Sequence, residues 1–173
     1  AFPADTTTYT VVGTNSNGCG DTTTVTVTVS PKPVVTVTPG TPAICAGNSI
    51  GLTASGASTY TWTPSAGLTN TGGDTTTAAP SATQTYTVTG SSGSGCSDTA
   101  TVVVNVNPLP TITASSTSPT VCTGDTTQIF ANITGTTTSP YTYAWSSGQA
   151  TDTVMGVGAG TYSITVTDAN GCT

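Results

Sequence analysis

The chain has 173 residues and one basic residue, Lys32, against seven acidic ones, all Asp, for a formal net charge of −6. Charged residues make up 5% of it, against about 25% in typical soluble domains, and His, Arg and Glu are absent. A single basic group cannot neutralise a phosphate backbone, so nucleic-acid binding is excluded, and docking on an anionic membrane is disfavoured on the same ground.

Thr supplies about a quarter of the chain and alternates with Val over long runs, the pattern β-strands require. No segment approaches the roughly 18 consecutive apolar residues of a membrane span, so no membrane insertion is expected. The opening residues have no basic and apolar stretch, and no signal peptide is expected there.

Self-similarity organises the rest. Tyr9-Thr-Val-Val-Gly13 returns as Tyr86-Thr-Val-Thr-Gly90, and Cys19, Asp21 and Cys45 return as Cys96, Asp98 and Cys122, each 77 residues on. Pro31 and Pro33 return as Pro108 and Pro110, and a further return at 76 takes Tyr86 to Tyr162 and Cys96 to Cys172. Proline pairs stop strands and stiffen linkers. Residues 1–30 therefore read as the C-terminal part of a repeat, 31–107 as a complete repeat, and 108–173 as a repeat lacking its last strand. Both ends fall inside repeats, so the chain reads as an excerpt of a longer array.

Within the complete repeat the predicted strands are 34–38, 50–54, 60–62, 85–89 and a long last one at 99–106. Gly- and Pro-containing turns separate them, and no helical period is present. The fold class expected is all-β: tandem Ig-like β-sandwich repeats of about 77 residues in a head-to-tail string, each with one central Trp. The third repeat is a variant. Cys45 to Trp62 is 17 residues but Cys122 to Trp145 is 23, which places an insertion around 136–140.

The strings Ile44-Cys-Ala-Gly-Asn48, Tyr60-Thr-Trp-Thr-Pro64, Thr85-Tyr-Thr-Val-Thr89 and Asp168-Ala-Asn-Gly-Cys172 resemble PKD-like and Ig-like repeats of Bacteroidota surface proteins. Such repeats occur in giant adhesins, including gliding-motility-associated ones, usually exported by type IX secretion. The resemblance implies a cell-surface or secreted, extracellular location and neighbouring repeats as the first partners.

Five cysteines in a low-charge, Thr-rich chain indicate an oxidising compartment. Without His or a C-x-x-C spacing, a metal role is not expected. Two disulfide schemes are open. Pairing inside repeats joins Cys45 to Cys96 and Cys122 to Cys172. In an Ig-type strand order, however, Cys45 sits at the turn between the first and second strands, at the end opposite Cys96. A last strand over 97–107 would span about 35 Å at roughly 3.3 Å per residue, whereas a bridge needs Cα atoms within about 7 Å. Head-to-tail stacking favours instead an inter-repeat bridge, Cys45 to Cys172, with Cys19, Cys96 and Cys122 paired outside the chain.

Six of the seven aspartates precede Thr, at Thr6, Thr22, Thr75, Thr99, Thr126 and Thr153. This looks like the Bacteroidota O-glycosylation sequon, which would make covalent glycans part of the protein; the competing reading is Asp opening a turn before a strand. Asn132-Ile-Thr134 matches an N-glycosylation acceptor, read here as coincidence. Trp62, Trp145, Tyr9, Tyr86 and Tyr162 are expected in cores rather than on sugar-stacking surfaces. Dispersed aspartates give no calcium cluster, and Lys32, lying between two prolines, is not expected in an isopeptide bond. With no His or Glu and no carboxylate pair, no catalytic constellation is expected and no cofactor is implied. The expected function is a structural repeat segment of a surface fibre or adhesin stalk. The alternatives are a module binding a surface glycan or another cell, and an accessory linker of a large secreted enzyme.

Overall fold

The computed structural model describes residues 2–135 and 137–173, and every regular element in it is a strand. The first two, β1 (Thr7–Thr14) and β2 (Gly20–Val27), form an antiparallel hairpin. The middle unit contains β3 (Thr36–Thr38), β4 (Ala43–Cys45), β5 (Ile50–Ser55), β6 (Thr59–Thr63), β7 (Thr75–Ala78), β8 (Gln84–Ser91) and β9 (Ser97–Asn107). Two sheets, in the orders β3-β5-β7 and β4-β9-β8-β6, make it an Ig-like sandwich.

Period-two alternation explains why these residues form this core. Along β9, Val102 and Val104 are buried while Val103 between them is 41% exposed. Leu52, Ala54 and Ala78 from one sheet meet Trp62, Tyr86, Val88, Val102 and Val104 from the other. Side chains on the opposite faces are mostly Thr and Ser, so a two-sheet fold stays hydrated with few charges. Gly90 is required by packing: a Cβ there would stand 2.6 Å from Val35 Cγ2 and 2.7 Å from Ala57 Cβ.

The hairpin repeats a piece of this sandwich. Tyr9 faces Val25 as Tyr86 faces Val102, and each register pair of β1–β2 reappears 77 residues on in β8–β9. No second sheet covers the hairpin among the described residues, so Val11, Val25 and Val27 are 58%, 55% and 40% exposed. Tyr9 is accordingly half-buried rather than in a core.

The third unit contains β10 (Thr111–Ser116), β11 (Thr127–Thr134), β12 (Thr142–Trp145), β13 (Thr153–Val157) and β14 (Ile164–Thr167), in sheets β10-β11-β13 and β12-β14. Trp145 pairs with Ile164 as Trp62 pairs with Val88. Its core is smaller: Ile129, Trp145, Val154 and Val157, with Tyr162 half-buried against them. Beside Trp145 and Tyr162 lies an open cleft of about 460 Å³, bounded by Ile129, Pro119 and Val121.

Two expectations about the strands are corrected. Cys45 ends a short strand, β4, rather than lying in the turn between the first two strands, because residues 43–45 pair in parallel with Asn105, Val106 and Asn107 of β9. The first strand of the sandwich is also shorter than 34–38, since only residues 36–38 find partners on β5. Thr136, within the third repeat's insertion, falls outside the described residues.

Candidate inter-repeat joint

Two kinds of turn carry the cysteines. Cys45 and Cys122 each open a Cys-x-Gly turn, closed by Asn48 N–H donating to Cys45 O and Asp125 N–H donating to Cys122 O, both at 3.0 Å. Gly47 and Gly124 take φ of +89° and +92° there, a conformation that side chains resist.

Cys19, Cys96 and Cys172 close a second turn, each following a glycine. In it the N–H groups of Asn15, Ser92 and Asp168 donate to the carbonyls of Cys19, Cys96 and Cys172 at 2.9, 2.8 and 3.0 Å. The N–H groups of Gly18, Gly95 and Gly171 donate to the carbonyls of Asn15, Ser92 and Asp168. Asn15 Oδ1 also accepts from the N–H groups of Asn17 and Cys19, and Asp168 Oδ1 from those of Asn170 and Cys172. Both turns hold their sulfur on a fixed backbone, one of the two requirements for a predictable bridge.

The structure joins one cysteine of each kind across two units: Cys45 Sγ is bonded to Cys172 Sγ, with the Cα atoms 5.5 Å apart. Cys45 pairs in register with Asn107, the last residue of β9, and the chain passes through 108–110 into β10. The bridge therefore crosses the junction next to the peptide linker. Cys172 is fully buried. Cys96 precedes β9 and Cys45 lies beside its far end, so the eleven residues of that strand separate them. Cys19, Cys96 and Cys122 are unbridged among the described residues.

The insertion loop of the third unit braces the bridge: Ala169 N–H donates to Thr138 O at 2.9 Å and Asn170 Nδ2 to Thr138 Oγ1 at 3.1 Å. The Cys172 N–H, together with the Asn170 amide groups, holds the Asp168 carboxyl below its ordinary range, against the opposing effect of burial. A carboxyl whose folded pKa is depressed stabilises the fold above its unfolded value, near pH 4, and that contribution is lost as pH falls through the lowered value. We expect the thermal midpoint of the chain, followed by circular dichroism, to fall on acidification below about pH 4. The Asp168→Asn protein should show a shallower decline; equal slopes would contradict this role.

A second contact was not legible in the sequence. Lys32 Nζ lies 2.6 Å from Asp98 Oδ1, and Asp98 Oδ2 accepts from Val35 N–H at 3.2 Å. The Lys32 hydrogen bond is the largest of the influences that lower the Asp98 pKa. The ion pair ties the linker before β3 to the start of β9. Lys32 is largely exposed, so its contribution is local positioning rather than stability.

Trp62 and Trp145 are 1% and 5% exposed, and their indole N–H groups donate to Gly73 O and Thr151 O at 3.0 and 2.9 Å. Tyr86 is fully buried and donates to Ala66 O at 2.7 Å; burial raises its pKa. Thr6, Thr22, Thr75, Thr99 and Thr126 are exposed and Thr153 is half-buried. They are spread over all three units and form no single site.

No protein-family model and no curated protein sequence matches the chain. Among solved structures it is similar to the N-terminal eight Ig domains of Down Syndrome Cell Adhesion Molecule isoform 1.30.30. That match has 15% identity and a TM-score of 0.52, and it covers 95% of this chain and 31% of that one. The human desmocollin-1 ectodomain matches at 16% identity with a TM-score of 0.32, over 88% of this chain and 38% of that one. The chain thus spans about a third of the length of these structures, and the first likeness places it in the Ig-like fold.

Proposed function

We propose that the chain is a structural repeat segment of an extracellular fibre or adhesin stalk, of the Bacteroidota surface-adhesin kind its motifs resemble, without catalytic activity. The repeats follow the boundaries 1–30, 31–107 and 108–173. The observation that carries this reading is the bond from Cys45 to Cys172 beside the 108–110 linker. A single linker is a swivel. A second covalent tie, one strand spacing of about 4.8 Å away, blocks twisting and leaves at most a hinge. That property suits a part whose work is to hold length and direction.

Thr6, Thr22, Thr75, Thr99, Thr126 and Thr153 are the proposed O-glycan carriers. Attached sugars would hydrate a surface with few charges. We expect intact-mass measurement of native material to exceed the polypeptide mass and to place hexose-containing adducts on Asp-Thr peptides. A mass equal to the bare chain would refute the glycan part.

A binding role is favoured only by the likeness to an adhesion ectodomain. Both Trp side chains face cores, which leaves no exposed indole platform for a glycan among the described residues. The stalk reading is tested by small-angle X-ray scattering of the oxidised chain, which should give a narrow distribution of maximum dimension. A distribution as broad as that of the reduced chain would count against it.

A further inference from the structure

The turn that carries Cys172 holds a second reactive group. Asn170 is followed by Gly171, one of two Asn-Gly pairs in the chain, and Ser94 stands in its place in the middle repeat. Asparagine is a thermolabile residue, and a glycine after it leaves the next backbone nitrogen unshielded by a Cβ. Asn170 is exposed, yet its amide is held: Nδ2 donates to Thr138 Oγ1 at 3.1 Å and to Asp168 Oδ2 at 3.5 Å. The Gly171 N–H donates to Asp168 O at 3.0 Å, and Asp168 Oδ1 accepts from the N–H groups on either side of it, those of Asn170 and Cys172. Thr138 belongs to the insertion by which the third repeat differs from the middle one. The middle repeat therefore has neither the asparagine nor the loop that holds it.

We propose that Asn170 is a deamidation site latched by Thr138 and Asp168, whose amide survives while the joint is closed and is lost once the Cys45–Cys172 bond opens. In the reaction the Gly171 nitrogen, stripped of its proton, attacks Asn170 Cγ. The N–Cγ bond forms, the Cγ–Nδ2 bond breaks and ammonia leaves. Water then opens the cyclic imide at either carbonyl, which leaves a carboxyl at position 170 on a normal or a β-linked backbone. The closed turn opposes this step twice. The two Nδ2 hydrogen bonds fix the side-chain amide on Thr138 and Asp168, so it is not free to turn onto the following peptide. Removing the Gly171 proton gives up its bond to Asp168 O and sets a negative charge beside the Asp168 carboxylate, which like-charge repulsion disfavours. Cys172, two residues on, is pinned to Cys45, and that bond keeps the turn in place. A carboxylate at position 170 would face Asp168 where Nδ2 now donates, and it would lose the donor to Thr138. A joint that has opened and aged then closes less well, so the modification is a one-way record of the time spent open. It rests on the inter-repeat joint of the stalk reading.

The test uses the 173-residue chain, either oxidised or reduced and alkylated, held at mildly alkaline pH and sampled over time. Peptide mass follows the exchange of the Asn170 amide for a carboxyl, with the β-linked product counted separately. Misplacing reacting groups costs up to about 10²-fold in rate, so conversion should be slower by about tenfold or more in the oxidised chain. Within the oxidised chain, Thr138→Ala removes the Oγ1 acceptor and should convert faster than wild type, whereas Thr138→Ser should keep the wild-type rate. That comparison stands even where the reduced chain unfolds, since circular dichroism and the Cys45–Cys172 peptide report that the variants keep the fold and the joint. Equal rates in the oxidised and reduced chains, or a Thr138→Ala rate equal to wild type with the bridge intact, would overturn the latch. Absence of the Cys45–Cys172 peptide from the wild-type chain would overturn it through the joint itself, so the two failures are distinguishable.

Discussion

Replacing Trp62 by Ala should unfold the middle sandwich while leaving the third unit folded. The side chain is 1% exposed, packs between both sheets and donates its N–H to Gly73 O. Large-to-Ala changes for a buried Trp cost about 3–5 kcal/mol, and a sandwich of this size has little more than that in total stability. The substitution also leaves the Gly73 carbonyl without its donor. Thermal unfolding followed by the fluorescence of Trp145 should remain a cooperative transition, lowered to that of an uncoupled third unit, whereas amide exchange across β5, β6, β8 and β9 should lose protection. The same substitution at Trp145 should cost less, because its core is smaller and already opens on a cleft. Retained protection in the Trp62→Ala protein would mean that the core does not depend on the indole.

Cys172→Ser should uncouple the two sandwiches. The bridge spans a sequence separation of 127, so it encloses most of the middle sandwich together with the third unit. A native bridge contributes about 2–4 kcal/mol, with longer loops toward the upper end. Here part of that should appear as lost coupling between units, since nearest-neighbour contacts carry the stability of such arrays. Unfolding should change from one cooperative transition to two, with the third unit melting first. Scattering should show a broader spread of maximum dimension. Cys19→Ser, which touches no observed bridge, serves as the control and should change neither.

The parts of the fold legible in the sequence were those written in local pattern. Short runs in which apolar residues alternate with Thr, Gly or Asn, bounded by turn residues, marked 50–54, 60–62, 85–89 and 99–106, and the structure extends each by one to three residues into its turns. The period of 77 is visible because β8–β9 and the hairpin share side chains as well as register. Strand β4 was not legible, since three residues become a strand only by parallel pairing with β9, some 60 positions away. The Lys32–Asp98 pair has the same character: a fold brings together two residues that no spacing rule links. Tyr9 has the sequence context of Tyr86, but burial depends on an opposing sheet, and none covers it among the described residues. At the joint, the length of β9 already argues against pairing Cys45 with Cys96, whereas the bracing of Ala169 and Asn170 by Thr138 depends on an insertion loop whose course is set by the fold.

A covalent bond crosses the junction between successive repeats. Proteolysis of the native protein under non-reducing conditions, with thiols blocked beforehand and the peptides identified by mass, tests it most directly. The expected result is a peptide pair containing Cys45 joined to Cys172, released on reduction. Recovery of Cys45 joined to Cys96, with Cys122 joined to Cys172, would contradict it and leave each repeat closed on itself.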